Sequence, residues 1–405
     1  MHVGVLCSPG SFHTHKWCHG LKRAGAQVTL FSLEQGTCPG IETVYVPPRF
    51  SRKGQPSYLS YLFSGDRLLK VLQEYQVDVL NPINITPFGV WADRSGFRPL
   101  VSVAMGADIL EYPLNYGDRP LHNWEETAPP GKFSQLIAPL KWRIFRTLVS
   151  HSLSESSYIT GDNLVLVDAI KDWFQIPPNK IHLNRWGVEP SLFHPSKDTL
   201  QKVQSYFGIQ PGQPVVLAPR GMKPIYQGEI ILQSYAHLLA AGKFSHVKFL
   251  IFSAGYQISG KTLELAENLA DTYPNFQYVS DQLPREWVLA LWPMVNLFIS
   301  APIYDGYSNA VAEGRYAGAI PVVNDSPATQ ELFIDKHNGH VIAPFTPENL
   351  CKRLTHLLDN LQDEQERLRT INRQWIESNS VLEENMKRFL ARCEQAAQKG
   401  GPKAP

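Results

Sequence analysis

The 405-residue sequence has no run of about 18 apolar residues, the minimum for a helix that spans a membrane. Its five cysteines are scattered, with no C-x-x-C pair and no histidine at a zinc-ligand spacing. Neither charge dominates, since 38 Lys and Arg stand against 37 Asp and Glu, and no long basic stripe is present. These absences argue against a membrane-spanning protein, a disulfide framework, a zinc site and a nucleic-acid-binding protein.

The first residues also lack the pattern of a secretory signal. Residues 2–7 are predicted as a strand, which leaves no room for a charged segment followed by an apolar one. Reduced, buried thiols are then the favoured state of the cysteines. We therefore expect a cytoplasmic protein.

Length and residue pattern favour two globular α/β domains. A chain of 405 residues exceeds what one hydrophobic core usually serves. Short aliphatic or β-branched runs alternate with longer helical patterns, which is typical of parallel sheets covered by helices. The predicted strands are 2–7, 27–31, 77–80, 99–104, 157–160, 164–167, 214–218, 247–252, 276–279, 295–300, 320–323 and 340–342. The predicted helices include 15–24, 66–75, 229–241, 262–272, 285–292 and 309–317.

The alternation restarts after about residue 195, which indicates two doubly wound, Rossmann-like domains. Between them, Pro190 and Pro195 prevent a helix, and Gly187 allows a sharp turn. Thr346, with Pro347 after it, is a predicted helix N-cap. One apolar stripe marks a final helix, formed by Leu382, Met386, Phe389, Leu390 and Cys393. We assign the domains to 1–190 and 191–375, a C-terminal helix returning toward the first domain to 376–397, and a disordered tail to 398–405.

The most informative segment is a strand, loop, helix and strand between residues 295 and 323. Ser308 is a predicted N-cap, and Gly318 suits the left-handed position after the helix. The loop after a parallel strand opens onto the ligand crevice, where the next helix directs its N–H groups at an anion. Glu313, about one turn into that helix, is suited to accept hydrogen bonds from ribose hydroxyls. The alternative is that Asp305 and Glu313 are solvated surface charges.

The pattern D-G-x-x-N-A-V-A-E-G-x-x-A-G-x-x-P-V-V in this segment resembles the E-x7-E signature of retaining glycosyltransferases of family 4, which have the two-domain GT-B fold. The resemblance implies that Glu313 binds the nucleotide ribose. Asp305 stands in place of the first Glu, which contacts the donor sugar and is implicated in catalysis. Aspartate is a departure, since it retracts the carboxylate by one methylene. Donor-nucleotide contacts are predicted for Gly306, Tyr307, Ser308, Asn309 and Glu313.

The resemblance continues through the linker and the strand after it. Residues 186–195 are similar to the family's W-G-V-D-x-x-x-F-x-P linker. Arg220 matches an Arg that the family places on the donor phosphates, where a cation stabilises the departing diphosphate. The family's K-G pair is missing, because Ile225 and Tyr226 occupy its place, and Lys223 is a displaced substitute. The alternative for Arg220 and Lys223 is a solvated loop.

In the first half, residues 100–110 resemble the family's strand that ends in H-G-x-D. Met105 replaces the histidine, so no histidine base is assigned there. Asp108 either contacts the sugar or acceptor, or caps the following turn. Gly10, in the first loop, is a candidate for close approach to the donor diphosphate.

Further predictions concern the acceptor and the base. His13, His15 and Met105 are candidates for the acceptor side of the cleft that the resemblance implies, although lone histidines are more often structural. The resemblance also implies backbone contacts to the base near Val279 and Leu283, and the residues do not separate uracil from guanine or adenine.

Two basic and aromatic stretches raise the question of peripheral membrane contact. The first, 49–63, is balanced between a lipid-facing and an ordinary surface role, whereas 141–149 fits a core-packed helix better. Contact at the inner face of the membrane therefore stays open.

These observations predict a retaining transferase that moves a sugar from a UDP- or GDP-sugar to an acceptor hydroxyl of a sugar, lipid-linked or small-molecule acceptor. The product class would be a polysaccharide, a glycolipid or a small glycoside. We expect no cofactor and no metal. A sugar-nucleotide epimerase or hydrolase, or a non-catalytic sugar-nucleotide-binding protein, are the alternatives. A nicotinamide dehydrogenase is disfavoured because no G-x-G-x-x-G follows any strand.

Overall fold

The computed structural model describes residues 1–111, 132–222, 224–253, 255, 258 and 260–399. These residues form two compact units. Unit 1 contains 1–111, 132–186 and 382–399, and unit 2 contains 187–381 in the described ranges. No helix among the described residues is long and apolar enough to cross a membrane.

The strands of unit 1 are almost all parallel. They are β1 (His2–Leu6), β2 (Gln27–Ser32), β3 (Glu42–Tyr45), β4 (Ser51–Arg52), β5 (Gln55–Pro56), β6 (Val79–Pro82), β7 (Val101–Val103), β8 (Tyr158–Gly161) and β9 (Ile181–Leu183). Strands β4 and β5 form a separate antiparallel hairpin. The other strands pair in the orders β3-β2-β1-β6 and β7-β8-β9. Parallel bridges from Leu80 to Leu100 and from Ile83 to Val103 connect these two groups.

Unit 2 contains one six-stranded parallel sheet. Its strands are β10 (Val215–Ala218), β11 (Lys248–Phe252), β12 (Phe276–Val279), β13 (Leu297–Ser300), β14 (Ile320–Asn324) and β15 (His340–Ile342). They pair in the order β12-β11-β10-β13-β14-β15, which is the 3-2-1-4-5-6 order of a doubly wound nucleotide-binding fold. Register pairs such as Val216 with Leu297 place the carboxyl ends of β10 and β13 side by side.

Helices connect these strands. In unit 1 they are α1 (Phe12–Arg23), α2 (Tyr58–Phe63), α3 (Gly65–Glu74), α4 (Val90–Ser95), α5 (Lys132–Glu155), α6 (Leu164–Phe174) and α15 (Leu382–Lys399). In unit 2 they are α7 (Lys197–Phe207), α8 (Gly228–Ala240), α9 (Gly260–Thr272), α10 (Arg285–Leu291), α11 (Asn309–Ala317), α12 (Pro327–Gln330), α13 (Pro347–Asp359) and α14 (Leu361–Asn379). Short irregular or 3-10 turns occupy Ile85–Gly89, Ala107–Glu111, Pro178–Lys180, Pro190–Phe193, Pro224–Tyr226 and Trp292–Met294.

The predicted doubly wound α/β fold is confirmed, and so are the helix caps at Ser308 and Thr346. The predicted strand at 164–167 is wrong, because these residues begin α6. Asn163 decides the outcome, since its side chain accepts a hydrogen bond from the Leu166 N–H and thereby caps a helix. The sequence analysis also missed β9. This strand pairs with β8, the position expected for the strand that was predicted at 164–167.

The final helix packs within unit 1 through the predicted apolar stripe. Phe389 lies 4.8 Å from Trp17 of α1 between ring centroids, and Trp186 lies 4.6 Å from Trp17. The helix extends through Lys399, so the start of the predicted tail is helical, and 400–405 lie outside the described residues. All five cysteines are free thiols, four of them buried.

Candidate nucleotide and sugar site

The strand order reverses between β10 and β13, and two charged loops meet at this point. Arg220 follows β10, and Asp305 follows β13. In open α/β sheets, ligands bind at the carboxyl ends of strands where the order reverses. The topology of unit 2 therefore places both residues where a ligand is expected.

Arg220 and Asp305 are joined directly. The Arg220 Nη2 donates to Asp305 Oδ2 at 2.5 Å, although the two residues are 85 positions apart in the chain. The other Asp305 oxygen accepts a hydrogen bond from the Gly306 N–H at 3.0 Å. Both side chains keep some exposure, 24% for Arg220 and 19% for Asp305. The pair is therefore preorganised and still reachable by a ligand.

Tyr226 holds the guanidinium from a second direction. Its hydroxyl accepts a hydrogen bond from Arg220 Nη1 at 2.9 Å, and its ring centroid lies 4.3 Å from Arg220 Cζ. Such a cation–π contact stabilises an arginine and orients its plane. Tyr226 stands where the resemblance led us to look for a lysine. The position therefore supports the arginine instead of adding a second cation.

The loop that carries Arg220 and Tyr226 is closed by two glycines. A Cβ on Gly228 would lie 2.0 Å from the carbonyl oxygen of Gly221, so only glycine fits where α8 begins. A Cβ on Gly221 would in turn meet Ile251 at 3.0 Å. The backbone of the loop is thus fixed by packing. Lys223, the displaced phosphate candidate, lies outside the described residues.

Helix α11 begins directly after the Asp305 loop. The Ser308 hydroxyl accepts from the Val311 N–H at 3.4 Å, and Gly318 ends the helix with a φ of 90°. Tyr307 is only 3% exposed, and Asn309 is half-buried at the first helical position. If the predicted donor contacts of this segment exist, Tyr307 therefore has to make its contact through the backbone. A capped N-terminus beside a cation is a suitable environment for an anion.

The position of α11 is fixed on its far side. A Cβ on Gly314 would lie 2.8 Å from Phe298 and 2.9 Å from Trp292, so the helix packs directly on the sheet there. Arg315 is fully buried, with its guanidinium carbon 4.2 Å from the centroid of the Trp375 ring. Its Nε donates to Asn372 at 2.9 Å. These contacts anchor α11 to α14.

Glu313 is buried and forms a bidentate ion pair. Both carboxylate oxygens accept hydrogen bonds from the guanidinium of Arg285, from Nη1 to Oε2 at 2.9 Å and from Nη2 to Oε1. Trp292 Nε1 donates to Oε2 at 3.1 Å. The Glu313 side chain is 3% exposed, whereas that of Arg285 is 33% exposed. The sequence suggested Glu313 and missed its partner, which begins α10 and lies 28 positions away.

The loop after β12, where base contacts were predicted, is partly used by internal hydrogen bonds. The Val279 carbonyl accepts from the Ser253 N–H at 2.9 Å. The Ser280 carbonyl accepts from the Ser253 hydroxyl at 2.6 Å. Leu283 is half-buried and packs on the core of unit 2. Backbone groups between 281 and 283 are therefore better placed for a base than the carbonyl of Val279.

In unit 1 the carboxyl edge of the sheet contains Asp108, which binds backbone. Its Oδ2 accepts from the Ile85 N–H at 2.6 Å, and its Oδ1 accepts from the Met105 N–H at 2.9 Å. Burial raises the pKa of Asp108 to about 6, against the lowering effect of these hydrogen bonds. Of the two roles left open by the sequence, this geometry favours the fastening of loops.

The remaining predicted residues of unit 1 lie around the first loop and α1. Gly10 is exposed, and a Cβ there would meet nothing within 4 Å. His15 Nε2 lies 2.7 Å from the Pro9 carbonyl oxygen, so this histidine braces the loop. The His13 ring makes an edge contact with Trp186 at 5.4 Å between centroids. Both histidines therefore have structural contacts within unit 1.

An open cavity of about 910 Å³ lies elsewhere in unit 2, against β15, α13 and α14. Its wall contains opposite charges that pair with each other. Arg353 donates to Asp335 at 3.0 Å, and Arg367 donates to Glu364 at 2.6 Å. None of the predicted site residues lines it. Among the described residues, no group of three or more His, Cys, Asp or Glu is arranged to hold a metal ion.

Comparison with known proteins agrees with this architecture. Residues 2–125 match the family described as glycosyl transferase 4-like. No curated protein matches the sequence significantly. Among solved structures, a glycosyltransferase from Rickettsia africae is 14% identical, with a TM-score of 0.70 and 98% of each chain covered.

Two further structures are similar over their whole length. Sucrose-phosphate synthase from Thermosynechococcus elongatus is 11% identical, with a TM-score of 0.73 and 98% of each chain covered. Anabaena HepE, solved in complex with UDP-glucose, is 12% identical, with a TM-score of 0.70, 98% of this chain and 100% of HepE covered. This chain has the GT-B fold, and its residues 2–125 are similar to the glycosyl transferase 4-like family.

Proposed function

We propose that this protein is a retaining glycosyltransferase that moves a sugar from a UDP- or GDP-sugar to an acceptor hydroxyl. The observation that supports this most is the meeting of Arg220, Asp305 and the capped start of α11 where the strand order of unit 2 reverses. A cation and a helix N-terminus together suit a diphosphate. The family match of residues 2–125 and the fold add support from outside the site.

In this proposal the protein acts on the leaving group. As the bond from the anomeric carbon to the diphosphate breaks, negative charge grows on the phosphate oxygens, and Arg220 stabilises it. Asp305 orients Arg220 and faces the donor sugar. The acceptor oxygen bonds to the anomeric carbon on the face that the diphosphate leaves, and its proton departs with the diphosphate. No side chain is assigned as a nucleophile.

The first test is thermal-shift and calorimetric titration with UDP, GDP and ADP. One nucleoside diphosphate should raise the melting temperature through linkage, and the others should raise it much less. Among the similar structures, HepE contains UDP-glucose, which makes UDP the first choice. Absence of binding to all three would contradict a donor site in unit 2.

The second test is turnover with the matching nucleotide-sugar and a panel of sugar, lipid-linked and small-molecule acceptors. Proton NMR of the product should show the anomeric configuration of the donor. Because charge stabilisation is assigned to Arg220 and α11, addition of EDTA should leave the rate unchanged. An inverted product would contradict the retaining mechanism.

Tyr226 and Met105 favour one alternative, a sugar-nucleotide-binding protein without transferase activity. These residues stand where the family has a lysine and a histidine, and Tyr226 contacts Arg220 as described above. Such a protein would bind the donor and turn over no acceptor. An epimerase or hydrolase would instead convert the donor in the absence of any acceptor. Incubation with donor alone and then with acceptor separates the three cases.

We further propose that unit 1 contacts an anionic membrane surface through residues 45–63. Large apolar side chains are exposed here, namely Tyr58 at 71%, Phe63 at 57%, Leu59 at 52%, Phe50 at 46% and Tyr45 at 43%. The hairpin tip beside them contains Arg52 and Lys53, which form no ion pair among the described residues. Exposed aromatic side chains beside cations are typical of interfacial membrane contact. In the second stretch, residues 141–149, Phe145 and Val149 are buried, whereas Ile144 is 53% exposed.

Vesicle sedimentation tests this surface. The protein should bind phosphatidylcholine vesicles that contain phosphatidylglycerol and leave pure phosphatidylcholine vesicles in solution. The double variant Arg52→Glu, Lys53→Glu should lose this binding, because two attractive charges become repulsive. The matched variant Lys336→Glu, Lys352→Glu, in unit 2, should retain it. Equal binding by both variants would contradict the proposal.

A further inference from the structure

The ion pair between Arg285 and Glu313 limits what Glu313 can bind. A carboxylate offers about four acceptor positions, two on each oxygen. Oε2 of Glu313 uses both of its positions, for Arg285 Nη1 and Trp292 Nε1. Oε1 uses one, for Arg285 Nη2. One acceptor position on Oε1 is left.

The environment of Glu313 points to the same limit. Only 3% of the side chain is exposed, so a ligand reaches one edge of the carboxylate at most. Trp292 is fully buried and approaches from the protein interior, whereas Arg285 is 33% exposed and lies on the accessible side. Two ribose hydroxyls therefore cannot both bind Glu313 while Arg285 is in place.

We infer that Glu313 recognises a single ribose hydroxyl of the donor nucleotide, and that Arg285 is the positioning residue that leaves Oε1 available for it. This inference rests on the proposed function and on the ribose contact that the resemblance implies for Glu313. Arg285 holds the carboxylate at two points, which fixes its plane. The bidentate pair thus orients the Glu313 carboxylate and leaves one acceptor position, on Oε1, for a ligand.

Titration of the wild-type protein with UDP and its 2′-deoxy and 3′-deoxy analogues tests the single contact without any substitution. One analogue should bind at least about ten-fold more weakly than UDP, since it loses a hydrogen bond to a charged group. The other analogue should bind within about three-fold of UDP, because its missing hydroxyl has no place on Glu313. If UDP does not bind, the same series is run with GDP.

The position of Arg285 is tested by Arg285→Ala and Arg285→Lys. In Arg285→Ala the difference between the two analogues should disappear, because the carboxylate is free to turn. Arg285→Lys, which keeps the charge and one hydrogen bond, should recover part of the difference. Arg353→Ala is the matched control, since Arg353 pairs with Asp335 in the same unit and lies outside the site. It should discriminate as the wild type does.

The outcomes separate this inference from the function on which it depends. Absence of binding by UDP and GDP would overturn both. If UDP or GDP binds and both of its deoxy analogues bind equally well, or if neither analogue binds, the nucleotide site is supported and the single contact is overturned. Retained discrimination in a folded Arg285→Ala would overturn the positioning role. If Arg285→Ala does not fold, the wild-type series and Arg285→Lys still decide.

Discussion

The sheets of the two units begin with the same strand order, and their carboxyl edges can be compared group by group. In unit 2, Arg220 and Asp305 form an ion pair between two loops, and both side chains remain partly exposed. In unit 1, at the corresponding edge, Asp108 is buried and binds two backbone N–H groups. Both edges place a carboxylate next to a strand end. The Asp305 carboxylate faces a guanidinium and solvent, whereas the Asp108 carboxylate faces backbone N–H groups.

This difference separates a place built for a ligand from a place built for loop structure. A partly exposed ion pair contributes little to stability, about 0–1 kcal/mol for a pair at the surface, whereas a reachable cation and carboxylate at a strand end are suited to bind a ligand. A buried carboxylate that accepts two N–H groups stabilises the loops that it connects. The comparison predicts that substitutions in unit 2 change activity and affinity, whereas substitutions at Asp108 change stability.

The largest expected effect is on turnover in Arg220→Ala. Under the proposed function this variant should lose about 100- to 1000-fold in kcat, because one preorganised donor to the leaving group is removed. Tyr226→Phe keeps the ring beside the guanidinium and loses the hydroxyl contact, so its rate should fall only several-fold. Steady-state kinetics with the matching nucleotide-sugar measures both. Equal rates in Arg220→Ala and wild type would contradict a role of the Arg220–Asp305 pair in catalysis.

The next effect concerns the stability of unit 1 as a function of pH. The pKa of Asp108 is about 6 in the folded protein and 3.8 in the unfolded chain. Between these values the folded state holds the proton and the unfolded state releases it, so the free energy of unfolding falls as pH rises from 4 to 6. The total is about 3 kcal/mol.

Asp108→Asn removes this titration, and thermal melting across pH 4 to 7 measures it. The wild type should lose stability relative to the variant as pH rises, and the difference should level off above pH 6. Parallel curves would show that burial does not raise the pKa. A loss of turnover in Asp108→Asn with unchanged melting would instead return Asp108 to a sugar contact.

A smaller effect is expected for nucleotide affinity in Glu313→Ala. Loss of a charged acceptor for a ribose hydroxyl should weaken nucleotide binding by about 1.5–3 kcal/mol. The melting temperature should fall as well, since Arg285 loses its partner. Calorimetric titration measures the affinity, and the matched variant Glu377→Ala, which breaks a surface pair with Arg373, should bind normally. Unchanged affinity in Glu313→Ala would limit this carboxylate to a structural role.

The sequence predicted those parts of the site that depend on local residues. Ser308 caps α11 through an N–H three positions away, and Gly318 ends it, so both signals lie in one short segment. The start of α6 was missed for the opposite reason. Its first four residues are an apolar run that suits a strand or a helix, and the cap at Asn163 decides between them.

The partners of the predicted charged residues could not be predicted from neighbouring residues in the sequence. Arg220 meets Asp305 across 85 positions, and Arg285 meets Glu313 across 28. Both pairs depend on which strands are neighbours in the sheet, and a sequence pattern does not give strand order. Tyr226 was visible only as the place of a missing lysine. Its contact with Arg220 required the path of a loop that two glycines close.

The smallest expected effect compares two glycines of unit 1, Gly20 and Gly10. A Cβ on Gly20 would lie 2.8 Å from Met386 Cγ, where α1 packs on α15, whereas a Cβ on Gly10 meets nothing within 4 Å. Gly20→Ala should destabilise unit 1 by about 1 kcal/mol, because overpacking exceeds the gain in helix propensity and the flexible Met386 absorbs part of it. Thermal melting measures the loss.

Gly10→Ala should melt at the wild-type temperature and differ only in donor affinity, if Gly10 lies against the diphosphate as predicted. Calorimetric titration with the nucleoside diphosphate then gives a weaker Kd for Gly10→Ala and an unchanged one for Gly20→Ala. Unaltered affinity in both would mean that the first loop of unit 1 does not approach the donor. The residues that bind the donor would then all lie in unit 2, and the carboxyl edge of unit 1 would have no part in donor binding.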